Sequence, residues 1–157
     1  HIRSWRTSNV GKIAQFRIQK GKDLLEALYE AVEVAGIKSG VIVSGLGALT
    51  KAVCRNLKWF PEQFPVKDSD RLFYELEQPL ELTALSGWIA TKPDGSPEIH
   101  PHFTVSTVVE DRIACFGGHL TKGTITGIKV VVAIAVLEDD HIRSDFDEET
   151  KSYDLFL

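Results

Sequence analysis

The sequence predicts an α+β fold, in which a largely antiparallel mixed sheet packs against one main helix. One segment alone, residues 23–35, repeats its apolar side chains at helical spacing. Most other apolar segments are short or alternate with polar residues, as strands do. Short turns join them, for example Lys92-Pro93-Asp94-Gly95. One helix among many such strands is typical of an α+β domain.

The predicted helix has clear signals at both ends. Asp23 and Glu26 have the spacing of a capping box, in which an acceptor precedes the first turn. Gly36 ends the helix, because glycine readily takes the left-handed conformation that follows a last turn. The apolar residues between these ends lie on one helical face: Leu24, Leu25, Leu28, Val32 and Ala35.

The strand predictions follow from alternation and from apolar runs. In residues 80–89 the alternation places Leu80, Leu82, Ala84 and Ser86 on one face. Ser44-Gly45-Leu46-Gly47 lacks the third glycine and the following helix of a phosphate loop, so we interpret it as a tight turn between two strands. The segment 128–137 is the most apolar and is expected inside the sheet. The predicted strands are 12–18, 40–46, 52–59, 71–76, 80–89, 99–109, 112–116 and 128–137.

Composition limits the classes of protein that fit. The 157 residues predict one domain, 1–157, with residues 138–157 as an acidic C-terminal extension that forms either a solvated tail or a final strand. Lys and Arg number 18 against 22 Asp and Glu, a net charge of −4, which argues against a surface built to grip DNA phosphates. No apolar run approaches the ~18–20 residues of a membrane helix, so we expect a cytoplasmic protein with no membrane partner. Cys54 and Cys115 are expected to be buried thiols.

Three histidines are predicted to share one face of the sheet. His100 and His102 are two residues apart within a predicted strand, so their side chains point the same way. If Glu110 and Asp111 form a two-residue turn, Val109 pairs with Arg112, and the two sequence numbers in every later pair also add to 221. His102 then lies opposite His119. The same register collects Phe103, Val105, Phe116 and Leu120 on the other face, as a core requires. Gly117-Gly118 is the point at which this ladder is expected to break or bulge.

Such a patch fits a divalent metal, with zinc as the first choice. Three imidazole nitrogens at ~2.0–2.1 Å leave a fourth position open for water or a small ligand. Glu98 lies two residues before His100 on the same face, where it is a fourth ligand, a hydrogen-bond acceptor for an imidazole N–H or a surface carboxylate. The alternative, three half-exposed histidines bonded to water or backbone, stays open because His-x-His is a short motif.

Five segments in order, between Val10 and Leu137, resemble the PPC domain, the plant and prokaryote conserved domain of unknown function. They are Gly21-Lys22-Asp23-Leu24-Leu25-Glu26-Ala27-Leu28, Val43-Ser44-Gly45-Leu46-Gly47-Ala48-Leu49, Leu82-Thr83-Ala84-Leu85-Ser86-Gly87, His100-Pro101-His102 and Gly117-Gly118-His119-Leu120. The resemblance implies a compact α+β fold, a homotrimer and, for prokaryotic members with all three histidines, a bound metal. In plants the domain follows AT-hook segments, and this chain has no Arg-Gly-Arg-Pro segment, so DNA association is implied only by analogy.

These observations predict a stand-alone prokaryotic PPC-like protein. We expect a homotrimeric metal-containing binding or regulatory module with zinc, or another divalent metal, at His100, His102 and His119. The strand 128–137 and the aromatic residues around Trp59 add a reason for self-association, since both leave apolar surface on a monomer. The alternatives are a small zinc-dependent hydrolase or lyase, with Glu98 as its catalytic base, and a structural metal site.

Overall fold

The computed structural model describes the whole chain, His1–Leu157, and confirms the single long helix. Helix α1 spans Leu24–Ala35. The Asp23 carboxylate accepts a hydrogen bond from the backbone N–H of Glu26 at 3.1 Å, which caps the first turn. Gly36 has φ 63° and ends the helix in the left-handed conformation, as its position in the sequence predicted. This helix is too short to cross a membrane.

The rest of the chain forms nine strands and one short 3-10 helix, Asp68–Asp70. They are β1 Asn9–Ile18, β2 Gly40–Leu57, β3 Arg71–Leu76, β4 Leu80–Thr91, β5 Pro97–Val109, β6 Arg112–Leu120, β7 Ile125–Glu138, β8 Arg143–Asp147 and β9 Ser152–Phe156. Seven of them form one sheet in the order β1-β7-β2-β4-β5-β6, with β3 paired to β2. Every pairing in this sheet is antiparallel. The expectation of a mixed sheet was therefore wrong, although the expectation of largely antiparallel pairing was correct. The apolar segment expected inside the sheet is the internal strand β7.

Strand β2 corrects the prediction of a tight turn at residues 44–47. The predicted strand 40–46 and residues 52–57 of the predicted strand 52–59 belong to one bent strand that shifts register against β7 at several points. Gly47 has φ 151°, and a Cβ there would lie 2.0 Å from the carbonyl oxygen of Lys129 on β7. The glycine is therefore needed for the close approach of two strands at a bulge, and not for a chain reversal.

The bend in β2 closes part of the sheet on itself. Its first half pairs with β4, and its second half, at Cys54 and Arg55, pairs with β6. Strands β2, β4, β5 and β6 therefore form a closed path around a core to which α1 also contributes. Phe103, Val105 and Leu120 are buried in that core, as predicted. The two cysteines are free; Cys54 is buried, but Cys115 is exposed, contrary to expectation.

The acidic C-terminal segment is a hairpin, β8–β9, which forms a second sheet and contacts β4. Ser144 and Asp147 of β8 are buried beneath it. The N-terminal arm, residues 1–8, binds the segment that leads into this hairpin. The carboxylate of Asp139 accepts hydrogen bonds from the Arg6 guanidinium and, at 2.7 Å, from the Ser8 hydroxyl. Both chain ends thus lie together against the main sheet.

Candidate metal centre

The β5–β6 hairpin has the register that the sequence predicted. Glu110 and Asp111 have φ 51° and 60°, as both central residues of a type I′ turn must. Val109 pairs with Arg112, and the ladder continues without a shift until His102 pairs with His119. The predicted weakness at the glycine pair before His119 is wrong, because the pairing passes through both glycines unbroken.

The glycine pair has a different role: it allows β6 to approach β2. A Cβ on Gly118 would lie 2.3 Å from the Asn56 Oδ1 and 2.7 Å from the carbonyl oxygen of Arg55. Gly118 also has φ 149°, which is accessible almost only to glycine. The close approach pairs Arg55 with His119, so that an arginine stands beside the third histidine.

His100, His102 and His119 meet on the sheet face that points away from the core. One ring nitrogen from each side chain can be chosen so that all three lie within 4.8 Å of one another. The Nε2 atoms of His100 and His102 are 3.1 Å apart, and the ring of His119 packs edge-on against both. His100 and His102 are exposed and His119 is half-buried, so the group is open to solvent on one side.

The surroundings keep two of the three imidazoles neutral. Burial is the main cause that lowers the pKa of His119 to about 3, and the neighbouring Arg55 cation adds to it. Burial also lowers the pKa of His102, with smaller contributions from His100 and Arg55. A neutral imidazole has a free lone pair, which is the form that binds a metal ion.

The donor set fits a tetrahedral metal with three nitrogen ligands. Two nitrogens bound to one zinc ion at ~2.0–2.1 Å lie roughly 3.3 Å apart. The 3.1 Å separation of the His100 and His102 Nε2 atoms is close to that value, and one nitrogen from each of the three rings lies within 4.8 Å of the others. Three histidines without a carboxylate or thiolate favour zinc or a similar borderline ion over magnesium or calcium.

The structure does not bring Glu98 into this group. Its carboxylate forms an ion pair with the Lys92 Nζ at 3.1 Å, and the residue lies opposite Ala90 on β4. It lines a cavity of about 330 Å³ next to the triad, between the sheet and the C-terminal hairpin, of which His100 is also a wall. Glu98 therefore stands beside the histidines rather than among them.

Several neighbours of the triad were missed by the sequence analysis. Arg55 lies opposite His119, and Ser86 and Trp88 of β4 lie opposite His102 and His100. Ser86 was expected on the same face as Leu80 and Leu82, but a bulge between Leu82 and Ala84 reverses the faces of the strand beyond it. No local signal in the sequence marks that bulge or the β2–β6 pairing.

Comparison with known proteins points to one family. The Plants and Prokaryotes Conserved (PCC) domain matches residues 6–138. The bifunctional protein GlmU of a Synechococcus strain is 31% identical over 124 residues, which are 78% of this chain but 17% of that protein. This chain therefore spans about a sixth of the length of that relative.

Solved structures share the fold. The metal-containing protein AF0104 from Archaeoglobus fulgidus is 27% identical, covers 98% of this chain with 99% of its own, and superposes with a TM-score of 0.75. A plant- and prokaryote-conserved protein from Pyrococcus horikoshii is 23% identical, with coverage of 98% and 99% and a TM-score of 0.72. A proposed DNA-binding protein from Bacteroides thetaiotaomicron is 19% identical, with 94% coverage of both chains and a TM-score of 0.74. The match of the family model to residues 6–138 shows that the chain belongs to the Plants and Prokaryotes Conserved (PCC) domain family.

Proposed function

We propose that this protein is a homotrimeric binding or regulatory module that holds one zinc ion per chain at His100, His102 and His119. The observation that carries the proposal is the convergence of three ring nitrogens within 4.8 Å on one solvent-facing patch. The description of the Archaeoglobus fulgidus relative as metal-containing supports it. A zinc ion held by three imidazoles supplies a fourth coordination position for a small ligand.

The protein's own residues would prepare this site in two ways. The type I′ turn and the β5–β6 ladder hold His102 and His119 directly opposite each other, so little side-chain freedom is lost on binding. Burial and Arg55 keep His119 unprotonated at neutral pH, so no proton competes for its lone pair. The Arg55 cation also favours an anionic group at the open side of the site.

Support for the trimer comes from exposed aromatic side chains. Trp59, Phe60, Phe64 and Phe73, here called the aromatic patch, are all between 45% and 91% exposed. Such a patch on a small domain marks an interaction surface. Strand β7 adds less apolar surface: it buries Val130, Val132 and Ile134 within its own chain but leaves Ile128 82% exposed. We propose that residues 1–157 act as one domain and that the aromatic patch joins its copies.

The regulatory part of the proposal does not require that the chain itself grips DNA. Relatives from Bacteroides thetaiotaomicron and Ralstonia eutropha are described as proposed DNA-binding proteins, at 19% and 22% identity. This chain carries a net charge of −4, which opposes direct contact with a phosphate backbone. Association with DNA is therefore proposed to run through partner proteins.

Elemental analysis of protein purified without chelator tests the proposal. We expect about one zinc per chain in the wild type and a large loss in His102→Ala, because His102 lies between the other two ligands. His141→Ala is the matched control, since His141 is exposed and lies outside the triad. An equal zinc content in all three proteins, or no zinc in any of them, would mean that the three histidines are ordinary surface residues and not metal ligands.

A further inference from the structure

A cavity beside the triad indicates which class of ligand the site receives. It has a volume of about 330 Å³ and lies between the main sheet and the β8–β9 hairpin. Its walls are Trp88, Ala90, Glu98 and His100 from the sheet and Ser144, Tyr153, Asp154 and Leu155 from the hairpin. Because His100 belongs both to this wall and to the triad, the cavity and the proposed metal position are contiguous.

The charge of these walls suits a cation. Glu98 and Asp154 carry the only formal charges among the eight lining residues, and both are negative. Trp88 and Tyr153 are 41% and 49% exposed, so their rings are accessible to an occupant. Carboxylates with aromatic faces form a typical environment for an ammonium or guanidinium group.

Two of these side chains, Glu98 and Tyr153, already bind the ammonium group of Lys92. Its Nζ lies 3.1 Å from the Glu98 carboxylate and 5.2 Å from the centre of the Tyr153 ring. Lys92 does not itself line the cavity, so a ligand cation in the cavity would share the Glu98 carboxylate with Lys92 or displace it.

Ser144 is a second, independent sign of an occupant. It is 1% exposed, it lines the cavity, and its hydroxyl has no hydrogen-bond partner. A buried polar group without a partner is costly and uncommon in native proteins.

The other side of the triad has the opposite charge. Arg55 lies opposite His119, so the order across the sheet is the Arg55 cation, the histidines and then the acidic cavity. His100 and Glu98 are two residues apart on β5, which places their Cα atoms roughly 6.6–6.8 Å apart. A carboxylate and an ammonium group joined by three methylene groups have a similar separation between their oxygen and nitrogen atoms when the chain is extended.

We propose that the ligand of this site is a small zwitterion, a carboxylic acid that carries an amino or guanidino group a few carbons away. Its carboxylate binds at the metal, and its cationic end enters the cavity between Glu98, Trp88 and Tyr153. This inference rests on the proposed function, because the metal at the triad anchors the carboxylate. The hairpin that completes the cavity lies beyond residue 138, outside the part of the chain that matches the family.

Calorimetric titration of the zinc-loaded chain with 4-aminobutanoate and with butanoate tests the inference. The two probes share the carboxylate and differ in the ammonium group. We expect 4-aminobutanoate to bind about tenfold more tightly, since its ammonium gains a carboxylate partner and aromatic contacts. Glu98→Gln is expected to reduce this preference to within about twofold while zinc content stays unchanged. Glu75→Gln is the matched control, because Glu75 is also an ion-paired surface glutamate, with Lys51 at 3.5 Å.

The outcomes separate this inference from the proposed function. Zinc at one per chain with equal affinity for both probes, or a preference that survives Glu98→Gln, overturns the zwitterion and leaves the metal site intact. Absence of zinc from the wild type overturns the metal site and the zwitterion with it. A preference for 4-aminobutanoate that is lost only in Glu98→Gln supports both.

Discussion

At the scale of single residues, Gly118 decides whether the third histidine reaches the other two. It sits at φ 149° where β6 meets β2, and the Arg55 carbonyl and the Asn56 side chain occupy the space of a Cβ. Any larger residue must push β6 away from β2, and His119 is the next residue along the chain. The glycine is thus a requirement of the site as well as of the fold.

We therefore expect Gly118→Ala to destabilise the protein and to weaken zinc binding together. Backbone strain and the clash with β2 add up to about 3–5 kcal/mol of lost unfolding free energy. Gly95→Ala is the matched control: Gly95 also has a positive φ, 86°, but nothing lies within 4 Å of its would-be Cβ. Gly95→Ala should lower the free energy of unfolding by only about 1–2 kcal/mol and leave zinc binding unchanged. Chemical denaturation and zinc titration measure both effects, and similar losses in the two variants would contradict the role given to Gly118.

At the scale of elements, the C-terminal hairpin depends on contacts with the N-terminal arm. Hydrogen bonds from Arg6, then from Ser8, hold the pKa of Asp139 well below its usual range. A carboxylate whose pKa is depressed by folding stabilises the native state at every pH above the unfolded pKa, about 3.9. That stabilisation is lost as the pH falls below this value toward the folded pKa.

Asp139→Asn is accordingly expected to lower the stability at pH 7 and to have a shrinking effect below about pH 4. Thermal unfolding of both proteins between pH 3 and pH 7 measures the difference. Asp140→Asn is the matched control, since no hydrogen bond or ion pair involves the neighbouring Asp140 side chain. A constant difference between Asp139→Asn and the wild type across this range would show that the ion pair with Arg6 is not the cause.

The elements also show where sequence reasoning succeeds and where it stops. The β5–β6 register was predictable because a two-residue turn fixes the pairing of every residue that follows it. The bend of β2 was not, because glycine in a close strand approach looks the same in sequence as glycine in a turn, as at Gly47. The β4 bulge and the docking of the hairpin depend on distant partners, so Ser86 and the cavity beside His100 had no local signal.

At the scale of the whole molecule, the aromatic patch and the site are connected. Phe73 lies opposite Arg55 on β3, and Arg55 lies opposite His119 on β6. Residues directly opposite each other share a face, so Phe73, Arg55 and the triad form one continuous row. An assembly that covers the aromatic patch would therefore bring a neighbouring chain close to the proposed zinc site.

Self-association through this patch predicts a mass near three times 17.5 kDa by light scattering at micromolar concentration. Phe60→Asp should lower that mass toward the monomer, because Phe60 is 91% exposed in a single chain and a charge there opposes burial. Val34→Asp is the matched control on the outer face of α1, where the side chain is 79% exposed. A wild type that remains near 17.5 kDa would exclude the trimer.

The charge of the molecule predicts weak contact with nucleic acid. We expect no submicromolar binding of the isolated chain to duplex DNA at physiological salt, given its net charge of −4. Fluorescence anisotropy with a labelled duplex, repeated at several salt concentrations, measures this directly. Tight binding with a steep salt dependence would mean that a local basic surface outweighs the net charge.

Anomalous X-ray diffraction at the zinc edge, on crystals of protein purified without chelator, tests the central claim most directly. The account predicts one peak per chain, at about 2.0–2.1 Å from a ring nitrogen of each of His100, His102 and His119. A difference map at the same position should also show a fourth ligand on the side that faces the hairpin cavity. A crystal with no anomalous peak at the triad, or with zinc bound elsewhere on the chain, would contradict the account.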